Sequence, residues 1–279
     1  MKEAGIRDSG IGNREERGPI ESAVPDASPE KSDPRAAPSG AQQGRRTSGA
    51  DALASPESRL PNPQSRLHIY YGGTFDPFHN GHLAIAQLAA AALAAPVTLV
   101  PAADPPHRPP PGANAPRRLA MLHAAVAGLP ALRVDRRELD RPGHSYTVDT
   151  LRSLRDELGP QAPLVLLLGA DSFLGLPGWH RWQELFALAH LVVAERAGSG
   201  LGELPAALAA QVQARWVQDP AALHAAPAGQ VLRLRQPLQL ESASEVRRRI
   251  AAGGDWQALV PPPVAAFIRA HGLYGVAGL

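Results

Sequence analysis

The sequence predicts an α/β fold: a Rossmann-like, doubly wound, mainly parallel sheet with helices on both faces. Three observations carry that expectation. Beyond residue 66, short apolar or β-branched runs alternate with longer helical segments, the pattern of a parallel sheet covered on both sides. Residues 164–168 are apolar at every position between Pro163 and Gly169, as a strand buried on both faces requires. The first strand also runs into a glycine-rich loop and a helix start, the kind of junction at which such sheets bind ligands.

The elements follow in order. Residues 67–71 form the first strand, ended by Gly72-Gly73. A helix over 80–95 stops at Pro96, and 97–100 is the next strand. Residues 117–127 read as helix, 132–134 as strand, and 147–158 as a helix closed by Gly159-Pro160. After the strand at 164–168 come helix 182–189, strand 191–194, helix 204–217, strand 231–234, and helices 242–252 and 264–270. Residues 83–103 are apolar enough to pass a loose membrane filter, but Gln87 and Pro96 interrupt them, and a helix followed by a strand explains them better. No membrane partner is expected.

Residues 1–66 differ in kind. They hold no aromatic residue and few large aliphatics, too little apolar surface to offset the entropy of ordering. They read as a disordered N-terminal extension preceding one folded domain at 67–279. The segment lacks the apolar core of a secretory signal and is acidic for a transit peptide, so a cytoplasmic location is expected.

Composition removes several chemistries. The 279 residues carry 28 Lys+Arg against 26 Asp+Glu, a formal charge of +2. Cysteine is absent, which excludes disulfides, thiolate metal sites and Cys nucleophiles. The only lysines are Lys2 and Lys31, so the folded part has neither a Walker lysine nor a Schiff-base lysine. The arginines are dispersed rather than set among aromatic partners, so no nucleic-acid partner is expected.

The strongest motif is Gly72-Gly73-Thr74-Phe75-Asp76-Pro77-Phe78-His79-Asn80-Gly81-His82. Glycines let backbone approach a ligand, and the helix start offers free N–H groups with a positive dipole. His79 and His82, three apart, share one side of the first helical turn beside Thr74 and suit phosphate oxygens.

This string resembles the signature of the nucleotidylyltransferase superfamily, whose shared element is His-x-Gly-His. It is most similar to that of the bacterial nicotinate-nucleotide adenylyltransferases. The resemblance continues through Pro105-Pro106-His107-Arg108, Ser145-Tyr146-Thr147-Val148-Asp149-Thr150-Leu151, Gly169-Ala170-Asp171-Ser172-Phe173 with Trp179, Ser242-Ala243-Ser244-Glu245-Val246-Arg247, and the tail from Val260-Pro261 to Gly272-Leu273-Tyr274. It covers nearly all of residues 67–274. Ala197 after Arg196, His180 after Trp179, and Glu241 before the serine motif depart from the family pattern.

The resemblance implies transfer of AMP from ATP to nicotinate mononucleotide, giving deamido-NAD and pyrophosphate. The acceptor phosphate has a second pKa of about 6 and is largely dianionic at neutral pH. No general base or protein nucleophile is needed, and direct in-line displacement follows. By the same resemblance His79, His82 and Arg247 are catalytic. Gly72, Gly73, Thr74, Phe75, Gly169, Asp171, Ser242 and Ser244 join them in holding ATP. Arg108, Thr147, Trp179 and His180 face the acceptor nucleotide. No protein metal site is expected; Mg²⁺ travels mainly on ATP oxygens.

Blander readings stand beside these. Ser242 and Glu245 have capping-box spacing, which also builds an anion-binding helix start. Trp179 is either the platform for the pyridine ring or a core residue, and Asp171 touches ribose or caps a turn. Arg248 and Arg249 read as solvated surface, and Trp182, Trp216 and Trp256 as packing. His68, His107, His123, His144, His190, His224 and His271 have no metal-ligand spacing. The competing functions are another transferase of the superfamily, acting on phosphopantetheine or nicotinamide mononucleotide, and a non-catalytic nucleotide sensor. Self-association is left open.

Overall fold

The computed structural model describes residues 66–103, 112–196, 201–236 and 241–276. Apart from Arg66, the segment expected to be disordered lies outside these residues, as does Arg108. The described residues form one sheet of strands β1 (His68–Gly73), β2 (Val97–Pro101), β3 (Leu132–Val134), β4 (Leu164–Gly169), β5 (His190–Arg196), β6 (Trp216–Val217) and β7 (Val231–Gln236). Their spatial order is β3-β2-β1-β4-β5-β7-β6, and all the described pairings are parallel. The chain winds outward from β1 through β2 to β3, then crosses to β4 and winds the other way. The order therefore reverses between β1 and β4, and the crevice lies at their carboxyl ends, Gly73 and Gly169.

Strand periodicity sends alternate residues to opposite faces. Ile69, Tyr71, Val165, Leu167, Val192 and Ala194 pack on one side with helices α1 (Asn80–Ala92), α2 (Ala115–Val126), α8 (Ala243–Ala251) and α9 (Pro262–Ala270). Tyr70, Leu166, Leu168, Leu191 and Val193 pack on the other with α4 (Thr147–Leu158), α5 (Ala170–Leu174), α6 (Leu185–Leu188) and α7 (Ala206–Val212). The run in β4 is fully apolar because helices cover both of its faces. A short α3 (Arg137–Asp140) follows β3. No helix among the described residues is long and apolar enough to cross a membrane.

Three elements differ from expectation. The Ala-rich stretch at 204–217 is not one helix: α7 ends at Val212, where Arg215 Nε donates to the Gln211 carbonyl at 2.9 Å. Trp216–Val217 instead pairs with Val231–Leu232 as an edge strand. Residues 182–189 open as a 3₁₀ turn at Trp182–Glu184 before α6. Helix α1 stops at Ala92, and Ala94 adopts φ +48° on the way to β2.

Candidate active site

The signature loop leaves β1 at the sheet's reversal point and enters α1 at His79. Phe75 has φ +52°, and the Asp76–Pro77 peptide is cis. The Phe75 ring is buried, edge-on to Tyr71, Phe78 and His82 at 5.6, 5.6 and 5.0 Å. Phe75 thus supports the site with its ring, and any contact with a nucleotide falls to its backbone. Gly72 and Thr74 are exposed at the loop surface.

His79 is the N-cap of α1 and His82 its third residue. His82 Nδ1 accepts the His79 backbone N–H at 3.3 Å, and the His79 ring turns back toward the N3 backbone. An accepting Nδ1 assigns the proton of the neutral His82 ring to Nε2. The ring is stacked between His79 at 3.7 Å and Phe78 at 5.5 Å. His82 therefore makes the backward half of the cap usually made by Glu, and that bond holds its other ring nitrogen in a fixed direction. Gly81 makes this possible: a Cβ there would lie 3.0 Å from the His79 ring and 3.5 Å from the Glu241 carbonyl. The start of α1 and the chain entering α8 converge at that point.

Ser242 caps α8, its hydroxyl accepting the Glu245 N–H at 3.2 Å. The second half of the expected capping box is replaced. The Glu245 carboxylate bonds Arg248 at 2.7 and 2.8 Å and Arg249 at 2.7 Å, and those two cations hold its pKa down at about 2. Arg248 is thus exposed and Arg249 half-buried, and both are tethered. Arg247 turns the other way. One of its Nη groups donates to the Asp76 carbonyl, and the other reaches Ser244 Oγ at 3.3 Å. Glu241 Oε2 is buried without a hydrogen-bond partner among the described residues.

Beside this cradle lies a cavity of about 640 Å³. Gly72, Gly73 and Thr74 line it together with Thr147, Trp179 and His180. The acceptor-side residues expected from the sequence, Arg108 aside, therefore meet the signature loop in a single space. Trp179 is half-buried, and His180 lies 4.3 Å from the Tyr146 ring, which is 38% exposed. Gly169 caps α5 and Asp171 sits exposed in its first turn without a cap bond, while its neighbour Ser172 reaches the cavity.

The structure brings in residues to which the sequence reading gave no role. Glu138 and Thr150 line the same cavity. Thr150 Oγ1 donates to Glu138 Oε1 at 2.8 Å, and Arg141 bonds both Thr150 and Ser145 at 3.1 and 2.6 Å. Burial raises the Glu138 carboxyl pKa, opposed by the Thr150 bond and by Arg141. Arg118, fully buried, donates to the carbonyls of Thr74, Ala102 and Ala113 at 2.7, 2.8 and 3.2 Å. It braces the signature loop from below.

A parallel sheet with a His-x-Gly-His helix start at its reversal point is the architecture of a nucleotidyltransferase, and residues 70–249 match the cytidylyltransferase-like family. The "Probable nicotinate-nucleotide adenylyltransferase" of Stenotrophomonas maltophilia (strain K279a) is 58% identical over 218 residues, covering 75% of this chain and 96% of that protein. A protein of the same name from Xylella fastidiosa (strain 9a5c) is 52% identical, covering 75% and 97%. The chain belongs to the nicotinate-nucleotide adenylyltransferase family. Its fold also matches the Plasmodium falciparum nicotinic acid mononucleotide adenylyltransferase complexed with NaAD, with a TM-score of 0.56 at 16% identity over 76% of this chain and 98% of that one.

Proposed function

We propose that this chain joins ATP and nicotinate mononucleotide to give deamido-NAD and pyrophosphate, with His79, His82 and Arg247 handling the ATP phosphates. The observation that supports the assignment of residues is the single cavity, beside that cradle, which Trp179 and Thr147 line together with Gly72, Gly73 and Thr74. An oxygen of the acceptor phosphate forms a bond to the α-phosphorus as the bond from that phosphorus to the pyrophosphate oxygen breaks. The leaving group departs as an anion, so the step needs alignment and positive charge rather than a base or a covalent intermediate.

Each group suits one part of that task. The Nε2–H of His82 is fixed by its own cap and can stabilise charge on the α-phosphate. Arg247 lies over the loop for the β- and γ-phosphates, and the capped start of α8 supplies N–H groups near Ser242 and Ser244. Trp179 offers an indole face to the pyridine ring, a contact worth about 0.5–1.5 kcal/mol beyond burial. Thr147, at the first position of α4, sits at a helix N-terminus where a carboxylate is favoured over an amide. The cradle's donors are N–H and O–H groups, which fit phosphate oxygens rather than a cation. Mg²⁺ would arrive with ATP, held by phosphate oxygens and water, and would neutralise phosphate charge.

The test is an acceptor panel. Pyrophosphate release is measured with ATP–Mg and, in turn, nicotinate mononucleotide, nicotinamide mononucleotide and phosphopantetheine. The expected result is turnover with the first far above the others; turnover with phosphopantetheine alone would overturn the assignment.

A further inference from the structure

The inference concerns a residue near the carboxyl terminus, outside the residues assigned above, and it rests on the adenylyl-transfer reading. Tyr274 lies in a 3₁₀ turn, Leu273–Gly275, and its hydroxyl donates to Asp76 Oδ1 at 2.7 Å across 198 residues of sequence. Asp76 is 5% exposed and belongs to the signature loop. Its carboxylate also accepts the N–H of Ala113 at 3.0 Å and of Gly112 at 2.8 Å. Arg247 Nη1 stands 3.6 Å from Asp76 Oδ2 while donating to the Asp76 carbonyl. One buried carboxylate thus gathers the signature loop, the chain leading into α2, the carboxyl-terminal turn and the guanidinium of α8.

The contact is steric as well as polar. A methyl group on Gly112 would lie 2.8 Å from the Tyr274 ring and 3.3 Å from Arg247 Cδ. The Tyr274 ring and the arginine stem therefore both lie against Gly112, and leave no room there for a side chain. Burial, with the Asp76 charge, raises the phenol pKa above its ordinary value, so the hydroxyl stays a donor at neutral pH. Arg247 uses two of its five N–H donors on Asp76 and Ser244, which orients the guanidinium and leaves donors for phosphate.

We propose that Tyr274 is a positioning residue for ATP: through Asp76 and through its ring it fixes the guanidinium of Arg247 over the signature loop. Tyr274 touches no substrate in this account. Its effect is confined to the ATP side, because Thr147, Trp179 and His180 lie in the neighbouring cavity and share none of these bonds.

Tyr274→Phe removes the hydroxyl and keeps the ring, and Gly112→Ala keeps the hydroxyl and crowds the ring and the arginine stem. Tyr274→Phe is expected to raise KM for ATP about tenfold, the lower end for a hydrogen bond to a charged group, and Gly112→Ala to raise it in the same direction by crowding, with KM for nicotinate mononucleotide changed less than twofold in both. In an Arg247→Ala background, Tyr274→Phe is expected to move KM for ATP less than twofold, because the group it positions is gone. Additive effects in the double variant would overturn the proposal. So would equal rises in both KM values with a fall in melting temperature, the mark of a purely structural tether, or an unchanged KM for ATP in both single variants. Calorimetric binding of ATP–Mg alone to wild type and Tyr274→Phe separates this inference from the choice of acceptor. A tenfold loss of binding supports it even if nicotinate mononucleotide is not turned over, and equal binding overturns it.

Discussion

Replacing His82 with alanine separates the phosphate donor from the scaffold that holds it. The ring is stacked against His79 and Phe78, met edge-on by Phe75, and anchored through Nδ1 by the His79 N–H. His82→Ala therefore removes one preorganised donor and one helix cap. The donor is worth about 10²–10³ in kcat, or about 2.7–4 kcal/mol of transition-state stabilisation. The cap is worth about 1 kcal/mol of folding stability, which shifts the melting temperature of a domain this size by about 2–4 °C. Against a total stability of about 5–15 kcal/mol the variant stays folded, so turnover should collapse while the melting curve moves little. The assay is pyrophosphate release at saturating ATP–Mg and nicotinate mononucleotide, paired with a thermal melt by circular dichroism. His82→Gln, which keeps an amide donor and acceptor, should recover part of the rate. Turnover within about threefold of wild type in His82→Ala would refute the assigned role. A melting shift large enough to account for the lost activity would refute the separation of donor from scaffold.

Two other outcomes follow from buried groups. Arg118→Leu strips three carbonyls of their donor and should cost about 3 kcal/mol or more, seen by calorimetry as a fall of roughly 6–12 °C in melting temperature; a fall below about 2 °C would contradict it. His190 is fully buried, accepts the Gln230 N–H at Nδ1 at 3.1 Å, and meets the Ala226 carbonyl through Nε2 at 2.8 Å. Burial lowers its pKa from 6.5. The unfolded chain then takes up the proton first as pH falls, so this contribution to stability is complete above about pH 6.5 and is lost as pH drops from there toward the folded-state value. His68 shifts in the same direction, again chiefly by burial. Melting temperatures measured from about pH 8 to 5 should decline below about pH 6.5, less steeply in His190→Gln. A slope unchanged by that substitution would exclude His190 as a source.

Much of the architecture was legible because its signals are local. The uninterrupted apolar run of β4, the glycines ending β1 and the proline before β2 each mark an element within a few residues. The signature loop was legible for the same reason, since its chemistry and its helix start occupy one stretch of sequence. What stayed hidden depends on partners far along the chain. Trp216–Val217 looks helical beside its alanines and becomes a strand only because Val231–Leu232 offers a ladder. Nothing beside Arg118 in the sequence marks it as the residue that the carbonyls of Thr74, Ala102 and Ala113 enclose. Nothing local marks Glu138 as a cavity residue; Thr150 bonds it and the surrounding fold buries it. The capping box at Ser242 was half correct: the serine caps as expected, but two neighbouring arginines outcompete the backbone for Glu245.

The two margins of the sheet are its shortest strands, three residues in β3 and two in β6. A foreign chain seeking a ladder to zip onto finds almost no exposed rung there. The interior can consequently be built from segments such as Leu164–Gly169, whose composition would favour self-stacking if displayed at a border. For the folded protein that hazard is closed off. It reopens only for a nascent or heat-opened chain, in which aggregation should begin at the central strands rather than at the rim.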